Sequence, residues 1–101
     1  MARQKMLTQD ILSKVPKLYS QENAGEEAIA YAKFFNPCGD GTWYMTEYDP
    51  EDGTAFGKVV MNGDSEYGYF SIPELESVSL RFGLYIERDI HFKPKAVREC
   101  K

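Results

Sequence analysis

Three turn signals, spaced through the middle of the chain, constrain its fold more than any other feature. They are Asn36-Pro37-Cys38-Gly39-Asp40-Gly41, Asp49-Pro50-Glu51-Asp52-Gly53 and Asn62-Gly63-Asp64-Ser65. Glycine supplies positive φ, proline pre-sets φ for a turn, and asparagine and aspartate side chains bond to their own backbone, so each cluster reverses the chain. Between the clusters lie residues 42–48 and 55–61, and after the last lie 66–72, all short segments rich in aromatic or β-branched residues. Segments of that kind joined at hairpin length make a β-meander.

The flanking sequence adds helices. Thr8 is a suitable N-cap, followed by Asp10 in the first turn and by Leu7, Ile11, Leu12 and Val15 at helical spacing, until Pro16 stops the run. Residues 20–26 are polar, contain glycine and read as a loop. Helix and strand both fit residues 27–35, and the aromatics together with the Asn36-Pro37 stop favour strand. Ser71-Ile72-Pro73-Glu74 matches a capping box and starts a second short helix that ends before Gly83. Residues 84–92 alternate Leu84, Ile86, Arg88, Ile90 and Phe92 against Tyr85, Glu87, Asp89 and His91, a fifth strand closed by Pro94. The order α-β-β-β-β-α-β implies a two-layer α+β domain, with a mostly antiparallel meander sheet of about five strands and two short helices.

At 101 residues the chain is sized for a single domain, 1–101. Residues 1–6 and 95–101 read as flexible basic ends. Its mixture of 43% hydrophobic and 28% charged residues excludes the disordered class. No apolar run approaches the ~20 residues of a membrane span, and no apolar stretch follows the N-terminus as in a secretion signal, so a cytoplasmic location is expected. Charge is segregated: residues 1–17 carry a net +3 and residues 81–101 a net +3, whereas residues 18–80 hold twelve carboxylates against Lys33 and Lys58, a net −10. The acidic middle disfavours a phosphate backbone, while the basic ends either neutralise the middle or form a basic patch.

Cys38 and Cys100 are too few for a disulfide framework and are expected as free thiols; with His91 they make a weak metal triad, so no metal and no cofactor is expected. Glu47, Asp49, Glu51 and Asp52 could hold a divalent cation, but Gly53 stands where an EF-hand loop wants a ligand.

Six runs of the chain resemble a known family. They are Pro16-x-Leu18-Tyr19, Lys33-Phe34-Phe35-x-Pro37, Thr42-Trp43-Tyr44-x-x-Glu47-Tyr48-Asp49, Phe56-Gly57-x-Val59, Glu66-x-Gly68-Tyr69-Phe70-Ser71-x-x-Glu74-Leu75 and Ile86-Glu87-Arg88-Asp89-x-x-Phe92-x-Pro94. In order and spacing they are similar to the bacterial family catalogued as domain of unknown function 2958. The resemblance implies an association with plasmids, phages and conjugative elements, and brings no reaction and no catalytic residues.

The candidate sites follow from these strands. Tyr44, Glu47, Tyr48, Asp49, Tyr67 and Tyr69 are expected on an outer, acidic, tyrosine-bearing face that binds a protein partner, since tyrosine is amphipathic and loses little entropy on ordering. Period two sends Trp43 and Met45 to one side of their strand and Tyr44, Thr46 and Tyr48 to the other. Arg88, with Glu87 and Asp89, forms either a structural ion pair or an anion site, Glu47 or Glu66 being the expected partner of the guanidinium. Glu87, Asp89 and His91 on one strand face would be acid/base equipment, although no phosphate loop, nucleophile elbow or nuclease pattern accompanies them.

The leading expectation is therefore a non-enzymatic interaction module of a mobile element. One form of it is an anti-defence inhibitor that offers carboxylates where a nuclease expects phosphates. The alternatives are a small metal-assisted hydrolase or nuclease using Glu47, Glu87, Asp89 and His91, and a nucleic-acid-binding accessory protein in which Arg3, Lys5, Lys14, Lys93, Lys95 and Arg98 converge.

Overall fold

The computed structural model describes residues 6–100. Helix α1 (Gln9–Lys14) begins where expected, with the Thr8 hydroxyl accepting from the Ile11 N–H at 3.2 Å. Of residues 27–35, expected as strand, Glu27 ends a short 3-10 turn (Gly25–Glu27), and strand begins at Ile29, as β1 (Ile29–Ala30) and β2 (Ala32–Phe35). The meander follows as β3 (Thr42–Asp49), β4 (Thr54–Met61) and β5 (Asp64–Ser71), then helix α2 (Ile72–Ser77), capped by Ser71 accepting from the Glu74 N–H. Two short strands, β6 (Glu87–Arg88) and β7 (Lys95–Ala96), complete the chain.

The main sheet is antiparallel throughout, in the order β5-β4-β3-β2-β6, which makes a small α+β fold with two short helices. Both helices pack on one face: Leu7, Ile11 and Val15 from the α1 region and Ile72 and Leu75 from α2 meet Phe34, Met45 and Ala55 of the sheet. The opposite face carries a smaller apolar cluster of Ala28, Ala30, Tyr44, Val97 and Cys100. There β7 pairs with β1 (Ile29 opposite Ala96), and the Val97 N–H donates to the Ala28 carbonyl at 2.8 Å. Residues 95–100 are thus strapped down in place of a loose basic end, β7 making with β1 a separate two-stranded sheet. Of the other expected loose end, residues 1–6, the first five lie outside the described residues, and Met6 is core.

The expected strand over 84–92 is cut to two residues; before it Tyr85 bridges to Ser79 instead, and beyond it a turn is the cause. The Asp89 carboxylate accepts from the His91 N–H at 2.9 Å and its carbonyl from the Phe92 N–H at 3.2 Å, which closes a turn that extended pairing cannot cross. Ile86 is buried as the alternation requires, whereas Leu84 and Ile90 are exposed.

One irregularity decides which side chains face outward. Met45 pairs with Gly57 and Glu47 with Phe56, so Thr46 is an extra residue, a β-bulge. An extra residue inverts the period-two pattern beyond it. Tyr44 keeps the side that alternation gives it but is buried there in the smaller cluster, Glu47 shares that side, and Tyr48, expected with them, turns instead to the helix-covered core. Gly57 permits the bulge, because a β-carbon there would lie 1.8 Å from the Tyr44 carbonyl oxygen.

Candidate functional site

Beyond the bulge, Glu47, Phe56 and Tyr69 stand opposite one another across β3, β4 and β5, so all three project from one face. The loop between Pro16 and Ile29 passes over them. Glu47 is buried, and its two oxygens accept from the Tyr19 N–H at 2.7 Å and the Gln21 N–H at 2.8 Å. Gln21 bonds back through its side chain, donating to the carbonyls of Ile29 and Thr46 and accepting from the Ile29 N–H. Held in this way, Tyr19 keeps φ at 72°, a left-handed conformation that costs a non-glycine residue of order 1–3 kcal/mol. Tyr19 is 61% exposed and its ring meets Tyr69 edge-on at 6.5 Å, while Tyr69, 56% exposed, packs against Phe56 at 5.0 Å.

These rings and the loop enclose a cleft of about 380 Å³, with Glu22, Glu26 and Glu47 among its walls. At one end the Tyr67 hydroxyl donates to Glu26 Oε1 at 2.6 Å. Partial burial, the hydrogen bond to Glu26 and that carboxylate's charge push the Tyr67 pKa up to about 12. The hydrogen bond with Tyr19 raises the pKa of Tyr69 as well. The cleft can stack flat groups on its rings and attract positive charge.

Of the residues expected on this face, Tyr67 and Tyr69 line the cleft, and Glu47 supports it from beneath. Tyr44 is only 2% exposed and sits in the smaller cluster, its ring 6.0 Å from Phe92, so it offers nothing to a partner there. Tyr48 packs on the helix side, where burial first and Glu76 second raise its pKa. Asp49 is occupied by its turn, accepting from the Glu51 N–H, and Asp52 likewise accepts from the Thr54 N–H. Tyr19, Gln21, Glu22, Glu26 and Phe56 were missed. The loop carrying four of them reads only as polar, and no local signal marks Gln21 as the partner of a buried Glu47 26 residues away.

Arg88 stands opposite Phe34 on the helix-covered face, half-buried, and lines a cavity of about 140 Å³ with Asp10, Lys14 and Asp89. The two carboxylates expected to meet it are elsewhere. Glu66 lies on β5 at the far edge of the sheet, and Glu47 is on the other face. Glu87 is half-buried and pairs in register with Phe35. Asp89 forms an ion pair with Lys33 at 3.6 Å.

A groove of about 520 Å³ brings Lys33, Lys93 and Lys95 together with His91, Asp89 and Glu99. Of the other basic residues expected to converge, Lys14 pairs with Asp10 and Arg98 with Glu27, and Arg3 and Lys5 lie outside the described residues. Among the described residues, no three or more His, Cys, Asp or Glu side chains gather as a metal site would need, and no helix is long and apolar enough to cross a membrane.

The model of a family described as protein of unknown function (DUF2958) matches residues 6–98, which take in both helices, every strand and the cleft. The chain belongs to this family. Membership in DUF2958 brings no reaction to assign to the cleft. No curated protein and no solved structure shows a significant match.

Proposed function

We propose that this DUF2958 chain is a protein-binding module that engages its partner through the tyrosine-walled acidic cleft and carries out no chemistry of its own. One observation carries the reading: a buried carboxylate holds Tyr19 in a strained backbone conformation with its ring exposed beside Tyr69. Strain of this kind concentrates at functional sites, and exposed tyrosines set among polar groups are typical of recognition surfaces. The acidic walls favour a partner with a basic surface over a nucleic acid. The residues of the hydrolase alternative are divided, with Glu47 under the cleft and Asp89 and His91 in the lysine groove. The test is affinity capture from the source cell, followed by binding measurements with the purified partner. Tyr19→Ala and Tyr69→Ala are expected to weaken binding at least tenfold while the fold is retained; a partner that binds both variants as well as the parent chain overturns the reading.

A further inference from the structure

The cleft opens beside β5, and β5 is an edge strand. It pairs with β4 along all eight residues without a shift in register, and no described strand lies on its other side. Residues 64–67 are exposed. Edges of this kind are templates for pairing, and proteins usually guard them with proline, lysine, a bulge or a short length. β5 has no proline, lysine or bulge and runs eight residues; the charges that guard it are Asp64 and Glu66, which repel an acidic strand and leave it open to a basic one. The opposite edge, β6, offers only two residues.

From these features we infer that β5 accepts an extended, arginine-bearing segment of a partner protein as a sixth strand, with a guanidinium seated in the cleft. The inference rests on the reading of the cleft as a protein-binding surface, and adds to it the partner's conformation and chemistry. Tyr67 and Tyr69 alternate onto the cleft face, so residues placed opposite them on an added strand project to the same side. A side chain entering there meets the rings of Tyr19, Phe56 and Tyr69 and the carboxylates of Glu22 and Glu26. Arginine suits both at once, since its planar head stacks on aromatic rings and donates in a fork to a carboxylate. Main-chain bonds along the edge would supply affinity, and the cleft would select the side chain. Charge also argues against a second copy of this chain, because pairing β5 with itself would gather four carboxylates and no cation in one strand pair.

The probe is a blocked peptide of four Val-Arg repeats, titrated into the ¹⁵N-labelled full chain, with the Val-Glu peptide as control. The expected result is a shift of the amides of residues 64–71 and 19–26, slowed hydrogen exchange along β5, and no response to the control. Tyr69→Ala and Glu66→Arg, both changes at exposed positions, are expected to weaken binding about tenfold and about fivefold. Shifts confined to the acidic turn at 49–53, or none, overturn strand addition. So do equal shifts caused by a short DNA duplex, or β5 shifts that depend on protein concentration alone. A native partner that still requires Tyr69 after such a result leaves the protein-binding reading standing; one that ignores Tyr69 removes both.

Discussion

On the helix-covered face of the sheet, Phe34, Met45 and Ala55 pack against Ile72, Leu75 and Ile86 by apolar contact alone. Across the cleft end of the other face, order comes from a bulged threonine, a glycine that admits a carbonyl, a buried glutamate and a glutamine bonded at both ends of its amide. The first face gains stability in proportion to area removed from water, and so degrades gradually. The second depends on directional bonds, which are present or absent. Stability and recognition are therefore separable in this molecule, and substitutions can be chosen to remove either.

The largest effect belongs to the apolar face. Phe34 is fully buried, and Phe34→Ala is expected to cost about 3 to 5 kcal/mol, read as a fall in the urea midpoint with the cleft lost only because the whole domain opens. Gly57→Ala comes next, at about 3 kcal/mol, because the new methyl meets the Tyr44 carbonyl and the bulge must give way. A Gly57→Ala protein of unchanged stability would show that the bulge is soft and that the contrast between the faces is overdrawn. Glu47→Ala should cost about 2 kcal/mol and act locally: the amides of Tyr19 and Gln21 exchange faster while those of β3 and β4 stay protected.

A titration sharpens the comparison further. The Tyr67 phenol holds its proton more tightly folded than unfolded, with a pKa of about 12 against ~10 in the unfolded chain. Its contribution is then fully present below pH ~10 and is lost as pH rises toward about 12. Denaturation midpoints of the parent chain should fall more steeply across that window than those of Tyr67→Phe. The smallest effect on stability is expected for Tyr69→Ala, under about 0.5 kcal/mol at a position 56% exposed, together with partner binding weakened at least tenfold. That pairing of effects is what separable faces require.

How far the sequence reveals this arrangement follows the same division. Helix caps at Thr8 and Ser71, the three turns and the meander are written in local residue chemistry, and they can be read without coordinates. The bulge at Thr46 leaves no local mark, so strict alternation puts Tyr48 on the wrong face, and it cannot show that Glu47 shares its side with Tyr44. The strand over 84–92 failed for a related reason: alternation continued through Asp89, while its side chain closed a turn that no count of apolar residues registers. The cleft itself is a meeting of Tyr19, Phe56 and Tyr69 from three separate stretches of chain, and periodicity describes only one stretch at a time.

The strap formed by β7 has a consequence for how the protein is made. The hairpins of β3, β4 and β5 join near neighbours in sequence, whereas Ala96 and Val97 must find Ile29 and Ala28 across most of the chain. Contacts between near neighbours form early, and synthesis proceeds from the N-terminus. During translation the meander can therefore assemble while Tyr44 still lacks Val97 and Cys100 above it. For that interval the nascent chain shows chaperones and neighbouring chains an aromatic surface that the folded domain hides, and docking of residues 96–100 closes it.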